Sequence, residues 1–569
     1  MAVAAPTTSV TIPRPVLDHI HPEPKGFIRK YIFSIDHKII AIQYFITAGL
    51  FFLIAGLLAE LIRIDLLKHT GLLPASTYNQ VYSIHGSMMI WMVIIPLLTG
   101  AFGNYVMPLQ IGARDVAFPW LNMTSFWIFP ISGIILLSSF FFGAPDAGWT
   151  EYPPISLQAP FGTSIWCVAI FLIGISSTLT GLNFLVTIIK MRAPGMTYTR
   201  MPLFVWATAA TAGLNMVATV ALSSATMALF IERQFGVPFF DPTKGGSPIL
   251  WQHMFWFYSH PAVYITILPA FGMISEVLPT FARKPIFGYK MIAFSSVAIA
   301  LLGFMVWAHH MFTSGMAPWL QLPFMIITMF IAIPTGIKIF SWVATLWGGS
   351  IEFSPACLFA IGFLITFTIG GITGVFLAAI PADLHEHGTY FVVGHIHYVL
   401  FGGSVFGIYA GLYYWWPKMT GRMMNAHWGQ IHAWVTFVAF NCTFLPMHWL
   451  GLLGMPRRVA VYDPEFEAWN IVVSVCSFAL AASTLIVIAN MAWSLKSGKK
   501  AGPNPWGART LEWMISSPPP YYNFKKIPAV LQTPYDFGNP LPYLGLEAEP
   551  GAREATPQTT IGLISRQPA

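Results

Sequence analysis

The sequence predicts an all-α membrane protein, a bundle of twelve transmembrane helices, and three observations lead to that expectation. Of 569 residues, 56% are hydrophobic, 15% aromatic and only 9% charged, whereas a soluble domain carries roughly 25% charged residues. A bilayer core of about 30 Å takes around 20 apolar residues per helical crossing, and twelve such runs occur, centred near residues 50, 94, 132, 178, 217, 264, 300, 333, 366, 403, 440 and 481. The basic residues also alternate from loop to loop. With both termini on one side, that side carries 22 of the 29 Lys and Arg, the opposite loops carry 6, and Lys338 falls inside a span. By the positive-inside rule both termini face the cytoplasm, as expected of a protein in a bacterial-type inner membrane. Loop asymmetry thus accounts for the net charge of +7, and no nucleic-acid partner is expected.

Along the chain, residues 1–30 are rich in Pro, Thr and Val without periodicity and read as an irregular cytoplasmic arm. The helical block runs from 31 to 495, its joints marked by Gly and Pro as in AGWTEYPP (147–154) and DPTKGGSP (241–248). Residues 496–569 hold Pro-rich pieces such as SSPPPYY and GNPLPYLG and read as a tail draped over the cytoplasmic face. The first apolar run begins near Ile39, after Arg29, Lys30 and Lys38, so no cleavable signal peptide is expected. Cys167, Cys357, Cys442 and Cys476 are far apart in sequence and without a CxxC pair, so apolar core thiols are expected rather than a disulfide framework.

Sixteen histidines are present, and ionisable residues inside membrane spans are costly and point to function. Six stand out: His85 in SIHGSMMIWM, His260 in FWFYSHPAVY, His309 and His310 in MVWAHHMF, and His395 and His397 in VVGHIHYVL. Neutral imidazole suits copper, zinc and haem iron. Residues two apart on a helix point about 200° apart, so His395 and His397 serve two centres rather than one. Adjacent His309 and His310 diverge by about 100°, so a local distortion can bring both to one ion, with His260 a candidate third ligand. Tyr264 follows His260 by four residues and shares its helix face. A phenol beside a metal can give up both a proton and an electron.

These residues resemble subunit I of the haem–copper terminal oxidases, specifically the A-type cytochrome c oxidases. The resemblance rests on WQHMFWFYSHPAVY, GFMVWAHHMFTSGM, IAIPTGIKIFSW, GTYFVVGHIHYVLFGG and LGLLGMPRR, and it extends into the LEW and PPPYYNF parts of the tail. It implies a proton-translocating enzyme that reduces dioxygen to water with electrons from cytochrome c. His85 and His397 would be axial ligands of a low-spin haem and His395 the ligand of a high-spin haem. His260, His309 and His310 would hold the copper called CuB, with Tyr264 cross-linked to His260. Arg457 and Arg458 would bind haem propionates, with Trp149 and Asp383 nearby, and Arg63 would polarise the formyl group of haem A. The resemblance further implies a partner subunit II carrying a dinuclear copper site, subunit III and other oxidase subunits, and contact with membrane lipid.

Two proton routes are implied as well. Lys338 with Thr335 resembles the K-channel, and Asp115 with Asn104 and Asn122 resembles the entrance of the D-channel. Many relatives end the D-channel in a glutamate, where this chain has Ala262. It resembles instead the branch with a Tyr-Ser pair, here Tyr258 and Ser259, and Tyr258 lies one turn from Ala262. His387 matches a magnesium-binding histidine, yet the aspartate expected next is Gly388, leaving Glu386 or His385 to compensate. Asp65, near Arg63, is similar to the calcium or sodium site of some relatives. Three other readings compete. A quinol oxidase differs in its donor, a nitric oxide reductase lacks Tyr264 and the channel patterns, and a twelve-helix solute transporter leaves six mid-membrane histidines unexplained.

Overall fold

The computed structural model describes residues 22–537 and 543–544. Helices stand at all twelve apolar runs: α1 His37–Asp65, α2 Ala75–Gln110, α3 Pro119–Phe142, α4 Gly162–Lys190, α5 Leu203–Phe235, α6 Pro248–Ala282, α7 Tyr289–Gly303, α8 Pro318–Leu346, α9 Pro355–Ala378, α10 Tyr390–Thr420, α11 Ala426–Leu452 and α12 Pro464–Ser497. Eleven are long and apolar enough to cross a membrane, and α7 is the shorter one. Beyond Gly303 the chain leaves the α-helix and tightens into a 3₁₀ turn, Trp307–Met311. The run near residue 300 therefore ends in the very distortion that places His309 and His310.

Successive helices are mostly neighbours: α3 packs on α4, α4 on α5, α5 on α6, α9 on α10, α10 on α11 and α11 on α12, and α12 returns to α1. The bundle thus closes on itself, hiding polar groups from lipid. Helix α6 is the most enclosed, with Trp251, Phe255 and Tyr258 buried and three internal prolines, Pro261, Pro269 and Pro279. Proline is tolerated inside a membrane helix where neighbouring helices and side chains satisfy the freed carbonyls. Helices α2 and α10 widen into π-helix just beyond His85 and His397, over Met88–Ile94 and Leu400–Val405. Such widenings occur mostly as short insertions and frequently at functional sites.

Residues 496–537 drape over the face that carries the N-terminal arm. Lys38 Nζ donates to the Tyr521 carbonyl at 2.7 Å and to Asn523 Oδ1 at 2.8 Å, and the Tyr535 hydroxyl donates to Glu276 at 2.6 Å. Two-residue strands, Ala529–Val530 and Tyr543–Leu544, pair antiparallel. Of the arm at 1–30, residues 1–21 lie outside the described residues, as do 538–542 and 545–569 of the tail. One expectation needs correction: Cys167 and Cys357 are buried, but Cys442 is exposed and Cys476 half-buried. Both lie on the adjacent helices α11 and α12, where a small apolar thiol facing lipid costs as little as one in the core.

Candidate metal and haem site

Three histidines from two elements converge inside the bundle. His260, on α6, and His309 and His310, in the 3₁₀ turn after α7, present ring nitrogens that all lie within 4.8 Å of one another. His310 Nε2 is 3.1 Å from His260 Nδ1 and 3.1 Å from His309 Nε2. Three nitrogens bound trigonally at about 2 Å would be roughly 3.5 Å apart, so the set is close to that of a three-imidazole metal site. His309 Nδ1 meets the Thr328 hydroxyl at 3.1 Å, and the Trp256 ring stacks on His310 at 3.6 Å between centroids. These contacts fix both rings, as second-shell groups around a metal do. On its other side His260 Nε2 lies 2.8 Å from the Tyr264 hydroxyl.

The remaining three histidines each commit Nδ1 to a backbone or hydroxyl partner, leaving Nε2 as the ligating atom. His85 Nδ1 is 2.9 Å from the Ala55 carbonyl and His397 Nδ1 is 2.8 Å from the Val393 carbonyl. His395 Nδ1 is 3.1 Å from both the Gly370 carbonyl and the Thr373 hydroxyl. A carbonyl on one nitrogen fixes the tautomer and aims the other at a metal. Gly374 lines the His395 ring so closely that a Cβ there would sit 2.9 Å from Cε1. The donor set therefore fits two haem irons and one copper ion, with His395 held against α9 and His397 held by its own helix.

Arg63 is buried and donates to Asn470 Oδ1 at 2.9 Å and to the Ser474 hydroxyl. Arg457 and Arg458 stand in the loop after α11. The Arg457 amide donates to the Gly388 carbonyl at 2.9 Å, and burial followed by the Arg458 charge pulls its guanidinium down to about 10. A half-buried cation beside a second one calls for an anionic partner. Trp149 packs among Trp91, Phe255 and Trp256.

His387 Nδ1 pairs with Asp383 Oδ2 at 3.1 Å, while Glu386 accepts from Thr389. Magnesium favours a near-octahedral set of oxygens, and Asp383 Oδ2 is the carboxylate oxygen that His387 meets. Gly388 has φ 81°, a conformation that a side chain in its place would strain, which explains the missing aspartate. Asp65 Oδ1 accepts the Leu72 and Leu73 amides at 2.7 and 2.6 Å, tying the turn after α1.

Lys338 is buried in α8, its Nζ donating to the Ser296 hydroxyl at 2.7 Å and the Ile292 carbonyl at 2.8 Å, with Thr335 one turn away and half-buried. Asp115 is buried near the termini face, and burial, followed by the Asp36 charge, pushes it up to about 8. Asn122 Nδ2 donates to Asn104 Oδ1 at 2.8 Å. Farther along, Tyr44, Ser125 and Thr180 join by hydroxyl contacts of 3.1 and 2.6 Å. Tyr258, Ser259 and Ala262 line a cavity of about 20 Å³, and Ser259 Oγ has no hydrogen-bond partner.

Spacing alone could not supply Thr328, Trp256, Thr373 or Ser296, because each meets its histidine or lysine across helices.

The family described as "Cytochrome C and Quinol oxidase polypeptide I" matches residues 39–479. The chain belongs to that family. Relatives named cytochrome c oxidase subunit 1 share 53% identity in Synechocystis sp. (89% of this chain, 92% of the relative), 51% in Thermostichus vulcanus (91% and 94%) and 46% in Bacillus subtilis (93% and 85%). A solved haem–copper terminal oxidase dimer superposes with a TM-score of 0.67 at 19% identity, covering 82% of this chain and 85% of its own. The chain is therefore the catalytic subunit of a haem–copper oxidase, an integral membrane oxidoreductase, and the solute-transporter reading is excluded.

Proposed function

We propose that this subunit reduces dioxygen to water with electrons from cytochrome c and couples that reaction to proton translocation. The observation that supports this reading most directly is the three-nitrogen set of His260, His309 and His310 with the Tyr264 hydroxyl at 2.8 Å. When bound, a high-spin haem on His395 and a copper ion on the three imidazoles supply the electrons that reduce dioxygen. The chain's own groups do the rest. Tyr264 gives a proton and an electron from its phenol, positioned by the His260 ring at 2.8 Å, to which the family resemblance implies it is cross-linked. His85 and His397 would hold the low-spin haem, Arg63 would polarise the formyl group of a haem A, and Arg457, Arg458, Trp149 and Asp383 would hold the propionate edge.

Lys338 with Thr335 conducts protons toward Tyr264. Asp115, Asn104 and Asn122 take them from the cytoplasmic face, where both termini lie in the inner membrane of a bacterium. Tyr258 and Ser259 finish that route in place of the absent glutamate, Tyr258 standing one helical turn from Ala262. Electrons arrive through a subunit II with a dinuclear copper site, and subunit III and other subunits complete the complex in lipid.

The purified complex in vesicles tests this. Oxygen uptake with reduced cytochrome c, accompanied by external acidification, is expected. Uptake with a quinol but none with cytochrome c overturns the donor. Tyr258→Phe is expected to lower the proton-to-electron ratio, and an unchanged ratio with full turnover removes Tyr258 from the route.

A further inference from the structure

On the face opposite the termini a buried carboxylate has no part in the roles given above. Glu151, in the loop between α3 and α4, is fully buried, and its Oε1 has no hydrogen-bond partner. Its backbone stands at φ 43°, a left-handed conformation that bulky residues rarely adopt. The carboxylate otherwise takes the Ala147 amide and a 3.4 Å contact from the Thr163 hydroxyl to Oε2. Asp146, half-buried beside it, also has an unpartnered oxygen, Oδ1. Arg233 is the nearest cation, but it is engaged by the carbonyls of Ser156, Ala159 and Pro160. Burial, followed by the Asp146 charge, pushes Glu151 up to about 8.

The same loop reaches the arginine pair. A Cβ on Gly148 would meet the Arg458 guanidinium carbon at 2.8 Å, so the two are in van der Waals contact. Tyr82 lies under Arg458, 5.9 Å from ring centroid to guanidinium, and its hydroxyl donates to the Asp146 carbonyl at 3.3 Å. A buried acid with one free oxygen, a left-handed backbone and a second acid therefore share a loop that touches Arg458, and Tyr82 faces both acids and both arginines. The charged or titratable groups that face Glu151 are Asp146 on its own loop, Cys167 of α4, Arg233 of α5, and Tyr82 of α2.

We propose that Glu151 is a proton-release group, taking protons from the Arg457–Arg458 side and passing them by way of Asp146 to water on the face opposite the termini. The inference rests on the proton-translocating reading above. Each transfer is a proton hop: an O–H bond forms on the Glu151 carboxylate as one breaks on the donor, then breaks again as Asp146 or water takes the proton, and no electron moves.

The whole complex in vesicles, with protons released outside counted per electron, tests it. E151Q is expected to lower that ratio and E151D to restore most of it. In infrared titrations a protonated-carboxyl band with a midpoint near pH 8 is expected in the wild type and not in E151Q. An unchanged ratio in E151Q overturns the proposal, as does a wild type without that band. A wild-type enzyme that moves no protons sinks both readings, whereas one that pumps while E151Q pumps equally well sinks this one alone. Should E151Q fail to assemble, D146N decides: loss of the like charge must shift the band midpoint downward, and an unshifted midpoint overturns the proposal.

Discussion

At the scale of single residues, Lys338 shows how a buried ionisable group is retained in a membrane. The residue is 1% exposed, and the Ile292 carbonyl and Ser296 hydroxyl accept from its ammonium. No carboxylate pairs with it among the described residues, so it is a poor structural ion and a good carrier of protons. Lys338→Met keeps the length and removes the proton. Turnover measured as oxygen uptake is expected to fall by about 10²-fold or more, the scale of a lost proton-transfer group, with haem and copper content unchanged. Uptake near the wild-type rate would remove Lys338 from the route. The grouping of His260 with His309 and His310 and the mid-span Lys338 were legible in the sequence, because metal binding and mid-membrane charge restrict residue type. The partners Thr328, Thr373 and Ser296 were not, because a hydroxyl half-way along an apolar helix has many satisfactory places to bond, its own i−4 carbonyl included.

At the scale of elements, the informative departure is α7. Hydropathy continues past Gly303 through Phe304, Met305 and Trp307, so apolarity alone could not show that the helix stops there. What the chain gains is a turn that aims two adjacent imidazoles at one point, which a regular helix would send about 100° apart. The end of α7 also seats the phenol: a Cβ on Gly303 would stand 2.7 Å from Tyr264 Cδ2 and 3.0 Å from Cε2. Gly303→Ala must therefore push the ring away from His260 or bend α7. Overpacking of this kind costs about 1–3 kcal/mol. The expected outcome is a copper-replete enzyme with depressed oxygen uptake and little of the His260–Tyr264 cross-linked peptide by mass spectrometry. Wild-type uptake with the cross-link intact would show that the close contact is not what positions the phenol.

At the scale of the whole molecule, charge is sparse, and Asp115 and Glu151 are two of the buried acids outside the spans, with Glu512, whose pKa burial raises. Asp115 on the termini face and Glu151 on the opposite face are each pushed up to about 8, first by burial and then by a neighbouring carboxylate, Asp36 and Asp146 respectively. Their unfolded values are about 4. Between about 4 and about 8 the folded protein therefore holds protons that the unfolded chain has released, and stability falls as pH rises through that window. Above about 8 both states are ionised and the loss is complete. The thermal midpoint of the purified complex, followed by its absorbance between pH 6 and 9, is expected to decline toward pH 8 and then flatten with respect to these two groups. Asp115→Asn combined with Glu151→Gln removes both titrations, so the double variant is expected to show a shallower slope and a higher midpoint at pH 8 relative to pH 6. An identical slope in the double variant would mean that neither acid carries its proton into the folded state, and the release role assigned to Glu151 would lose its physical basis.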